Sequence, residues 1–499
     1  MFEKFLIETF KSLFNKKVIK VEKFDAGFDV YFEYEKTKVI SEKEFDDIEN
    51  KIKKNNSDNL KGIFFKLYKV SQEKFDDNFV EKLKIIVYNS EEKLLNYLKE
   101  QKKLQEYDHR IIGKEQELFE FFHYSPGSVF WLPNGWKVFR KLENFIRKYG
   151  YDGFQEVKTP AVMSNEFWIK SGHMDAFKKN MAFVNMGNEQ DEGFALKPMN
   201  CPAHIELFDK KTRSYRDLPV RLAEFGSCFR YEPSGSLHGL MRVRSLTIDD
   251  GHIFCSKKHI ENEVELFLAN AIKIYKKFGF EDIKIILATR PEGFLGNIDD
   301  WDDAETRLEN ALKKMNLDYQ IAAGDGAFYG PKIEMHVKDS MKRSWQLGTI
   351  QLDFVLPKRF DISYDNEKNE KELPCMLHRA ILGSIERFIG VLLEHTKGKL
   401  PLFLAPCPIV ITSVVSQVND YVEKIFNILT SFKLDVRLDL RSETLGYKIR
   451  QYKKEKIPIM IIIGKVEKEE KTITVEYNGE KFKYEEKDIK KIMGLFDEI

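Results

Sequence analysis

An arginine and a glutamate lie two residues apart in the segment FRYEPSGS (229–236), as Arg230 and Glu232. On a strand, two residues at this spacing face the same side. The pattern therefore predicts a phosphate-binding guanidinium beside a hydrogen-bond acceptor, at the mouth of a hairpin that the Pro-Ser-Gly turn closes. A surface ion pair before a turn is the plainer interpretation, and an isolated Arg-x-Glu pattern is more often that.

A glycine and a second arginine lie four residues apart in the segment LGSIER (382–387). On a helix, Gly383 and Arg387 would lie about one turn apart on the same face. Bare backbone beside a guanidinium is a suitable floor for a nucleotide. A helix with a packing glycine is the alternative interpretation of this segment.

The composition of the chain bounds the class of protein to which it belongs. Hydrophobic residues make up 42% and charged residues 32% of 499 residues, which is typical of a globular protein. No apolar run approaches the length of a membrane span, and the start of the chain lacks a cleavable signal pattern. Five widely spaced cysteines favour a reducing cytoplasm. The net charge of +1 by itself points to no partner.

Changes in amino-acid composition and pattern along the chain predict three regions, residues 1–105, 106–400 and 401–499. The first is a small α+β module with a strand over 28–34 and helices over 41–52 and 91–105. The second is a separate domain that contains turn signals such as LPNG (132–135) and ends near Pro401. The third alternates strands over 409–412, 436–440 and 458–463 with helices over 418–432 and 444–453, which predicts an α/β domain.

The segments GYDGFQEVKTP (150–160), FRYEPSGS and LGSIER, in this order, resemble motifs 1, 2 and 3 of class II aminoacyl-tRNA synthetases. LKPMNCPAH (196–204), DDGHIF (249–254), GAFYGPK (326–332) and WQLGTIQLDF (345–354) are similar to segments of threonyl-tRNA synthetases. The resemblance runs from about Tyr107 to the C-terminus. It implies an α+β multidomain protein: a class II antiparallel sheet flanked by helices, a C-terminal α/β anticodon-binding domain and the small N-terminal α+β module.

The resemblance implies a zinc site formed by Cys201, His252 and His378, which make no local motif because they lie in separate segments. Taken singly, each is more often a buried thiol or a core histidine. Together, one thiolate and two imidazoles suit zinc and leave one position open for a substrate. The amino and hydroxyl groups of threonine would fill that position, whereas valine has no hydroxyl to offer.

The implied reaction is the ATP-dependent formation of threonyl-adenylate, followed by transfer of threonine to tRNA(Thr). The resemblance implies catalytic roles for Arg230, Arg387, Lys332 and His173. It implies ATP contacts, with Mg²⁺ accompanying the nucleotide, by Arg230, Glu232, Arg242, Thr349, Gln351, Gly383 and Arg387. It implies threonine contacts by Met199, Asp250 and Tyr329, and anticodon contacts by Arg441, Arg450 and Glu467. Motif 1 implies a homodimer.

Three positions depart from the family pattern. Leu246 stands where an aromatic residue usually covers the adenine, Ile248 replaces a glutamine near the amino-acid pocket, and Phe177 replaces a tyrosine near His173. None of them is a predicted metal ligand or a motif arginine. They bear on the efficiency of the reaction and leave its class unchanged.

The family usually carries an N-terminal editing domain that hydrolyses seryl-tRNA by means of histidines and a cysteine. Here all ten histidines lie at His109 or later, and all five cysteines at Cys201 or later. Residues 1–105 therefore lack this constellation, and we expect a form without editing in cis, in which this region is a remnant of the editing module.

Three other interpretations are kept open. A non-catalytic paralogue that binds RNA would be favoured by loss of Arg230 or Arg387, but both are present. A serine or proline enzyme of class II would not match the Cys201, His252 and His378 set. A mitochondrial enzyme without an editing domain is the third, although no Arg-rich presequence is visible.

Overall fold

The computed structural model describes residues 18–24, 27–33, 64–75, 78–88, 90–185 and 193–496. The chain divides into two units, residues 1–106 with 233–236 and residues 107–232 with 237–499. The helix predicted over 41–52 lies outside the described residues. Among the described helices, none combines the length and the hydropathy that crossing a lipid bilayer requires.

The first unit contains a four-stranded antiparallel sheet followed by a helix. Its elements are β1 (Val18–Phe24), β2 (Gly27–Glu33), β3 (Phe64–Phe75), β4 (Asn78–Tyr88) and α1 (Glu91–Glu106). The strands are ordered β1-β2-β4-β3 in the sheet. The strand predicted over 28–34 and the helix predicted over 91–105 are confirmed as β2 and α1.

The second unit contains an eight-stranded sheet and the helices that cover it. Its strands up to residue 384 are β5 (Phe119–Glu120), β6 (Phe130–Trp131), β7 (Gln155–Glu156), β8 (Val162–Ser164), β9 (Ala182–Val184), β10 (Phe194–Leu196), β11 (Val220–Phe229), β12 (Ser245–Cys255), β13 (Ile283–Ala288), β14 (Tyr319–Ala322), β15 (Lys332–Lys338), β16 (Ser344–Asp353), β17 (Tyr364–Asp365), β18 (Lys371–Glu372) and β19 (Cys375–Ser384). The large sheet has the order β14-β13-β15-β16-β19-β12-β11-β7. Its central strands, β15 to β11 in that order, pair antiparallel.

Helices lie between and after these strands along the chain. Up to residue 395 they are α2 (His109–Glu115), α3 (Pro133–Tyr149), α4 (Asn165–Lys170), α5 (His173–Ala176), α6 (Cys201–Asp209), α7 (Ile260–Lys277), α8 (Ile298–Lys314), α9 (Leu356–Arg359) and α10 (Ile385–His395). Leu142 on α3, Leu268 on α7 and Phe388 on α10 are fully buried in one core with Ile350 of β16. The three- and four-residue spacing of such side chains makes each helix amphipathic and fixes which face it presents to the sheet.

The structure corrects the helix predicted through Gly383. Gly383 belongs to β19, and α10 begins only at Ile385. Its φ of +73° is incompatible with a right-handed helix. Ser384 caps the helix instead, because its side-chain oxygen accepts the Arg387 N–H.

Two further local predictions are wrong. Arg230 and Glu232 lie in the loop after β11, which ends at Phe229. The Glu232 N–H donates to the Arg230 carbonyl at 2.8 Å, so the chain turns there and does not continue the strand. The segment LPNG begins helix α3, because Pro133 occupies the first helical turn, where its missing N–H costs no hydrogen bond.

The C-terminal part of the second unit is an α/β fold. Its elements are β20 (Ile409–Ser413), α11 (Asn419–Ser431), β21 (Val436–Asp439), α12 (Leu445–Lys454), β22 (Ile459–Ile463), α13 (Lys465–Glu470), β23 (Thr472–Tyr477) and β24 (Glu480–Glu485), followed by a 3₁₀ segment over Glu486–Phe496. The sheet has the order β21-β20-β22-β23-β24, and β20 pairs in parallel with both neighbours. The predicted three strands and two helices are confirmed as β20, β21, β22, α11 and α12.

Candidate active site

A thiol and two imidazoles converge on one face of the large sheet. His252 on β12 and His378 on β19 are register partners in neighbouring strands, and Cys201 is the first residue of α6. One ligand atom from each of the three lies within 4.8 Å of the other two, and all three residues are buried. The two histidines are in direct contact, with His252 Nε2 3.1 Å from His378 Nδ1.

The orientation of His378 is fixed by a carboxylate. His378 Nε2 lies 2.8 Å from Asp353 Oδ2, while Asp353 Oδ1 accepts the N–H groups of Val355 and Leu356. A carboxylate in this position accepts a hydrogen bond from the ring N–H, so His378 donates through Nε2 and directs the lone pair of Nδ1 toward His252.

The donor set fits a zinc ion. Burial, and then the charge of Asp250, raises the pKa of the Cys201 thiol well above its usual value, so that a bare thiolate is disfavoured here. A bound divalent cation would stabilise that thiolate. One sulfur and two imidazole nitrogens around an enclosed point, with space on the fourth side, are the ligands of an open zinc site.

That fourth side opens into a small pocket of about 150 Å³. Its walls are Met199, Cys201, Arg230, Ile248, Asp250, His252, Tyr329, Thr349, Gln351, His378, Arg379 and Ala380. Asp250 is held by Asn200, whose side-chain amide donates to Asp250 Oδ2 at 2.9 Å. The other oxygen of Asp250 lies 3.7 Å from His252 Nε2, which brings a carboxylate next to the metal ligands.

A larger pocket of about 380 Å³ adjoins the first. It is lined by Arg230, Glu232, Met241, Arg242, Val243, Leu246, Ile248, Gln346, Leu347, Thr349, Ala380, Leu382, Gly383, Ser384 and Arg387. Both pockets share Arg230, Ile248, Thr349 and Ala380. Groups bound in the two pockets therefore meet beside the Arg230 guanidinium.

The larger pocket carries positive charge that favours an anion. Burial, and then the nearby charge of Arg242, lowers the pKa of Arg387. Arg387 Nε is buried and has no hydrogen-bond partner among the residues that the structure describes. Two guanidiniums in one pocket repel each other, and a polyphosphate bound there would offset this repulsion and accept from the unpaired Nε of Arg387.

A buried carboxylate shapes the floor of this pocket. Asp249 accepts the backbone N–H groups of Ile381, Leu382 and Gly383 at 2.9 to 3.1 Å. Burial raises the pKa of Asp249 to about 7. These hydrogen bonds hold β19 in the conformation with positive φ at Gly383, which leaves the backbone bare toward the pocket.

His173 is a buried residue beside Met199, which is a wall of the small pocket. Its Nδ1 is 2.9 Å from Ser171 Oγ, which itself donates to the Trp168 carbonyl, so Nδ1 donates the proton in this pair. Its Nε2 is 3.4 Å from Met199 Sδ. Burial, and then nearby positive charge, lowers the pKa of His173 to about 4, so the ring is neutral at pH 7.

Lys332 and Gln351 are register partners on β15 and β16. The Lys332 ammonium contacts the Glu334 carboxylate at 2.6 Å. Gln351 is a wall of the small pocket and donates to the Gly330 carbonyl at 3.1 Å. Thr349 borders both pockets, so the predicted ATP contacts divide between them.

The predicted anticodon residues lie apart from these pockets, in the C-terminal α/β fold. Arg441 pairs with Asp439, with its Nη2 at 2.5 Å from Asp439 Oδ2, and Arg450 is exposed on α12. Glu467 caps α13, because its two oxygens accept the Gly464 N–H at 2.8 Å and the Thr474 hydroxyl at 3.0 Å. Its carboxylate thus has a structural role that the sequence pattern did not predict.

Sequence reasoning missed the carboxylates and the histidine that hold the site: Asp249, Asp353, Glu224 and His204. Only His204 carried a local signal. It follows Cys201 by three residues on α6, which places both side chains on one helix face. The carboxylates act across the sheet on residues distant in sequence, so no spacing rule identifies them.

Comparison with known proteins gives two family matches. Residues 177–396 match the tRNA synthetase class II core domain (G, H, P, S and T). Residues 408–498 match the anticodon binding domain. The first covers both pockets and the second covers the C-terminal α/β fold.

Relatives of known sequence or structure agree with these matches. The threonine–tRNA ligase of Francisella tularensis subsp. novicida is 46% identical over 394 residues, 78% of this chain and 61% of that protein. That of Wigglesworthia glossinidia brevipalpis is 45% identical over 428 residues, 85% of this chain and 67% of that protein. The chain thus spans about 61% of the length of the first curated relatives.

A solved structure also resembles this chain. It is described as the RNA binding domain of threonyl-tRNA synthetase from Cryptosporidium parvum Iowa II. The two share 40% identity and a TM-score of 0.74, and the similarity covers 78% of this chain and 98% of that one.

Proposed function

The chain belongs to the threonyl-tRNA synthetase family, and we propose that it is a threonine–tRNA ligase that forms threonyl-adenylate from threonine and ATP and transfers threonine to tRNA(Thr). The observation that carries this proposal is the shared wall of the two pockets. Arg230 borders both, so an amino acid in the small pocket presents its carboxylate to the α-phosphate of a nucleotide in the large one.

Adenylate formation joins a carboxylate oxygen of threonine to the α-phosphorus of ATP, and pyrophosphate leaves. Arg230 stabilises the charge at the α-phosphate, while Arg242 and Arg387 hold the departing phosphates. Mg²⁺ accompanies ATP. Glu232 accepts from the adenine amino group, and Lys332 balances charge between carboxylate and phosphate. Gly383 allows the nucleotide to approach the backbone of the floor.

Selection of the amino acid takes place in the small pocket. Cys201, His252 and His378 would hold zinc, which would supply a Lewis-acid position that favours an amino acid with a hydroxyl group. Asp250 and Tyr329 orient the amino group, and Met199 bounds the methyl group. Serine differs from threonine by one methyl group, so binding rejects it by only about 1–3 kcal/mol.

Transfer to tRNA needs a base at the terminal ribose. We assign this role to His173, because its ring is neutral at pH 7 and its Nε2 keeps a lone pair beside Met199, a wall of the small pocket. Phe177 lies on the same side of the pocket, with the Arg230 guanidinium 5.9 Å from its ring. Phe177 therefore presents an apolar ring where the tyrosine usual in the family would present a hydroxyl group.

The remaining assignments concern the domains and their partners. Residues 1–105 are an N-terminal module without editing activity, 106–400 are the catalytic domain and 401–499 bind the anticodon, with Arg441, Arg450 and Glu467 as candidate contacts. The motif 1 segment mediates a homodimer. The described cysteines are free thiols, which fits a cytoplasmic enzyme.

The test is ATP–pyrophosphate exchange with the purified protein. We expect exchange with threonine that a zinc chelator abolishes, and weaker exchange with serine. Valine and proline should support none. Binding of tRNA without exchange under any of these conditions would identify a non-catalytic RNA-binding protein and refute the proposal.

A further inference from the structure

Two buried residues, His204 and Glu224, lie behind the candidate metal ligand His252 and are linked to it by hydrogen bonds. His204 Nδ1 lies 2.8 Å from His252 Nδ1, and His204 Nε2 lies 3.3 Å from Glu224 Oε2. The three side chains belong to α6, β11 and β12 and are almost fully buried. They form a continuous Glu224–His204–His252 network that ends at the ligand atom His252 Nε2.

The far end of this network is an anchored carboxylate. Glu224 Oε1 accepts the Thr159 N–H at 3.0 Å and the Lys197 ammonium at 3.1 Å, and Oε2 accepts the Thr159 hydroxyl at 2.7 Å. Lys197 also donates to the Thr159 hydroxyl oxygen at 2.7 Å. With three donors around it, Glu224 is an acceptor in every contact it makes, including the one to His204.

The direction of the remaining hydrogen bonds follows from this anchor. The His204 Nε2–H donates a hydrogen bond to Glu224, so Nδ1 of the neutral ring keeps its lone pair and is an acceptor. His252 then donates through Nδ1, and its Nε2 keeps a lone pair. The lone pair of His252 Nε2 points toward His378 Nδ1. His378 Nδ1 also carries a lone pair, because the other ring nitrogen donates to Asp353.

We propose that His204 and Glu224 are positioning residues that set the tautomer of His252, so that its bare Nε2 faces Cys201 and His378 before zinc binds. Hydrogen-bond partners behind a ligating histidine fix its ring orientation and its tautomer, and their loss commonly weakens metal binding by about 10- to 100-fold. This inference rests on the metal centre of the proposed function and adds the residues that prepare it.

Two substitutions of His204 separate the two ends of its ring. In His204→Gln the longer amide still donates to Glu224, but it leaves no acceptor for His252 Nδ1. In His204→Asn an oxygen near the position of Nδ1 still accepts from His252, while the link to Glu224 is lost. We expect His204→Gln to bind zinc about 10- to 100-fold more weakly, and His204→Asn to bind with an affinity close to that of wild type.

A matched control is offered by His109, which is also buried and carboxylate-paired. Its Nδ1 lies 2.6 Å from Glu394 Oε1 and its Nε2 accepts the Leu240 N–H at 3.0 Å, so both nitrogens are engaged in contacts away from Cys201. His109→Gln should alter stability and leave zinc affinity unchanged.

The measurement is competition for zinc between each full-length protein and a chromophoric chelator, with unfolding midpoints recorded in excess chelator to establish that the metal-free variants are folded. Equal zinc affinity in wild type and His204→Gln would overturn the inference, as would equal loss in both His204 variants, because packing alone would then explain it. Wild-type protein that binds no zinc would refute the proposed metal centre and, with it, this role for His204.

Discussion

His252 and His378 lie opposite each other on neighbouring strands, with His252 Nε2 only 3.1 Å from His378 Nδ1. Because Asp353 accepts a hydrogen bond from the other His378 nitrogen, Nε2, the lone pair of His378 Nδ1 points at His252. Two imidazole lone pairs at this distance repel each other unless a proton or a cation lies between them. A metal ion bound by both nitrogens would remove this repulsion.

Removal of zinc should destabilise the protein and abolish threonine-dependent exchange. Zinc that binds only the folded state stabilises it by about 4 kcal/mol when its free concentration is 1,000 times the dissociation constant. We expect a chelator to lower the unfolding midpoint of wild type and added zinc to restore it. Cys201→Ala should respond to neither, whereas Cys407→Ala, in the C-terminal fold, should respond as wild type does.

Arg387 should be required for adenylate formation. Its buried Nε lacks an acceptor among the described residues, and we assign it to the phosphates of ATP. Loss of one such donor typically lowers the rate by about 100- to 1,000-fold. We expect Arg387→Ala to lose that much kcat/KM in exchange assays. Arg110→Ala removes an exposed arginine paired with Asp108 and should be nearly neutral; equal losses in both would contradict the assignment.

Gly383→Ala should impair both stability and nucleotide binding. At φ +73° an added Cβ is strained, and it would lie 2.9 Å from the Leu347 carbonyl oxygen. Such strain costs about 1–3 kcal/mol, measurable by denaturant unfolding, and the KM for ATP should rise. Gly446→Ala is the control, because a Cβ on that glycine in α12 meets nothing within 4 Å. If Gly383→Ala were as stable as wild type, the backbone of β19 would have to adjust without strain, and the prediction would be wrong.

The stability of the protein should depend on pH through Glu224. Although burial opposes ionisation, hydrogen bonds from His204 and Thr159 lower the pKa of Glu224 to about 2, from an ordinary value of 4.5. A group with a depressed folded-state pKa contributes stability that is complete above the unfolded pKa and is lost as pH falls through the folded one. The difference in unfolding free energy between wild type and Glu224→Gln should therefore shrink as pH falls from about 4.5 to about 2. A constant difference would contradict the shifted pKa.

Serine should be attached to tRNA(Thr) and remain there. Serine and threonine differ by one methyl group, so we expect the small pocket to discriminate between them weakly, and residues 1–105 contain neither histidine nor cysteine for editing. With serine supplied alone, we expect seryl-tRNA to accumulate and to decay no faster with the protein than without it. Rapid deacylation by the purified protein would refute the absence of editing in cis.

The local pattern of the sequence was sufficient for the C-terminal α/β fold and for β2 and α1, because short apolar runs and amphipathic spacing are properties of neighbouring residues. It failed at Gly383, where the pattern predicted a helix. Asp249, 134 residues away, accepts the Gly383 N–H and helps to hold the positive φ. A contact at that separation leaves no trace in local spacing.

The sequence by itself determined the residue types of the site, the order of the motifs and hence the family that they resemble. Only the tertiary structure decided that Cys201, His252 and His378 meet, since strand register and the packing of α6 bring distant segments together. It alone also decided which nitrogen of each histidine faces the others, because Asp353 and Glu224 direct the protons through contacts made only in the folded chain.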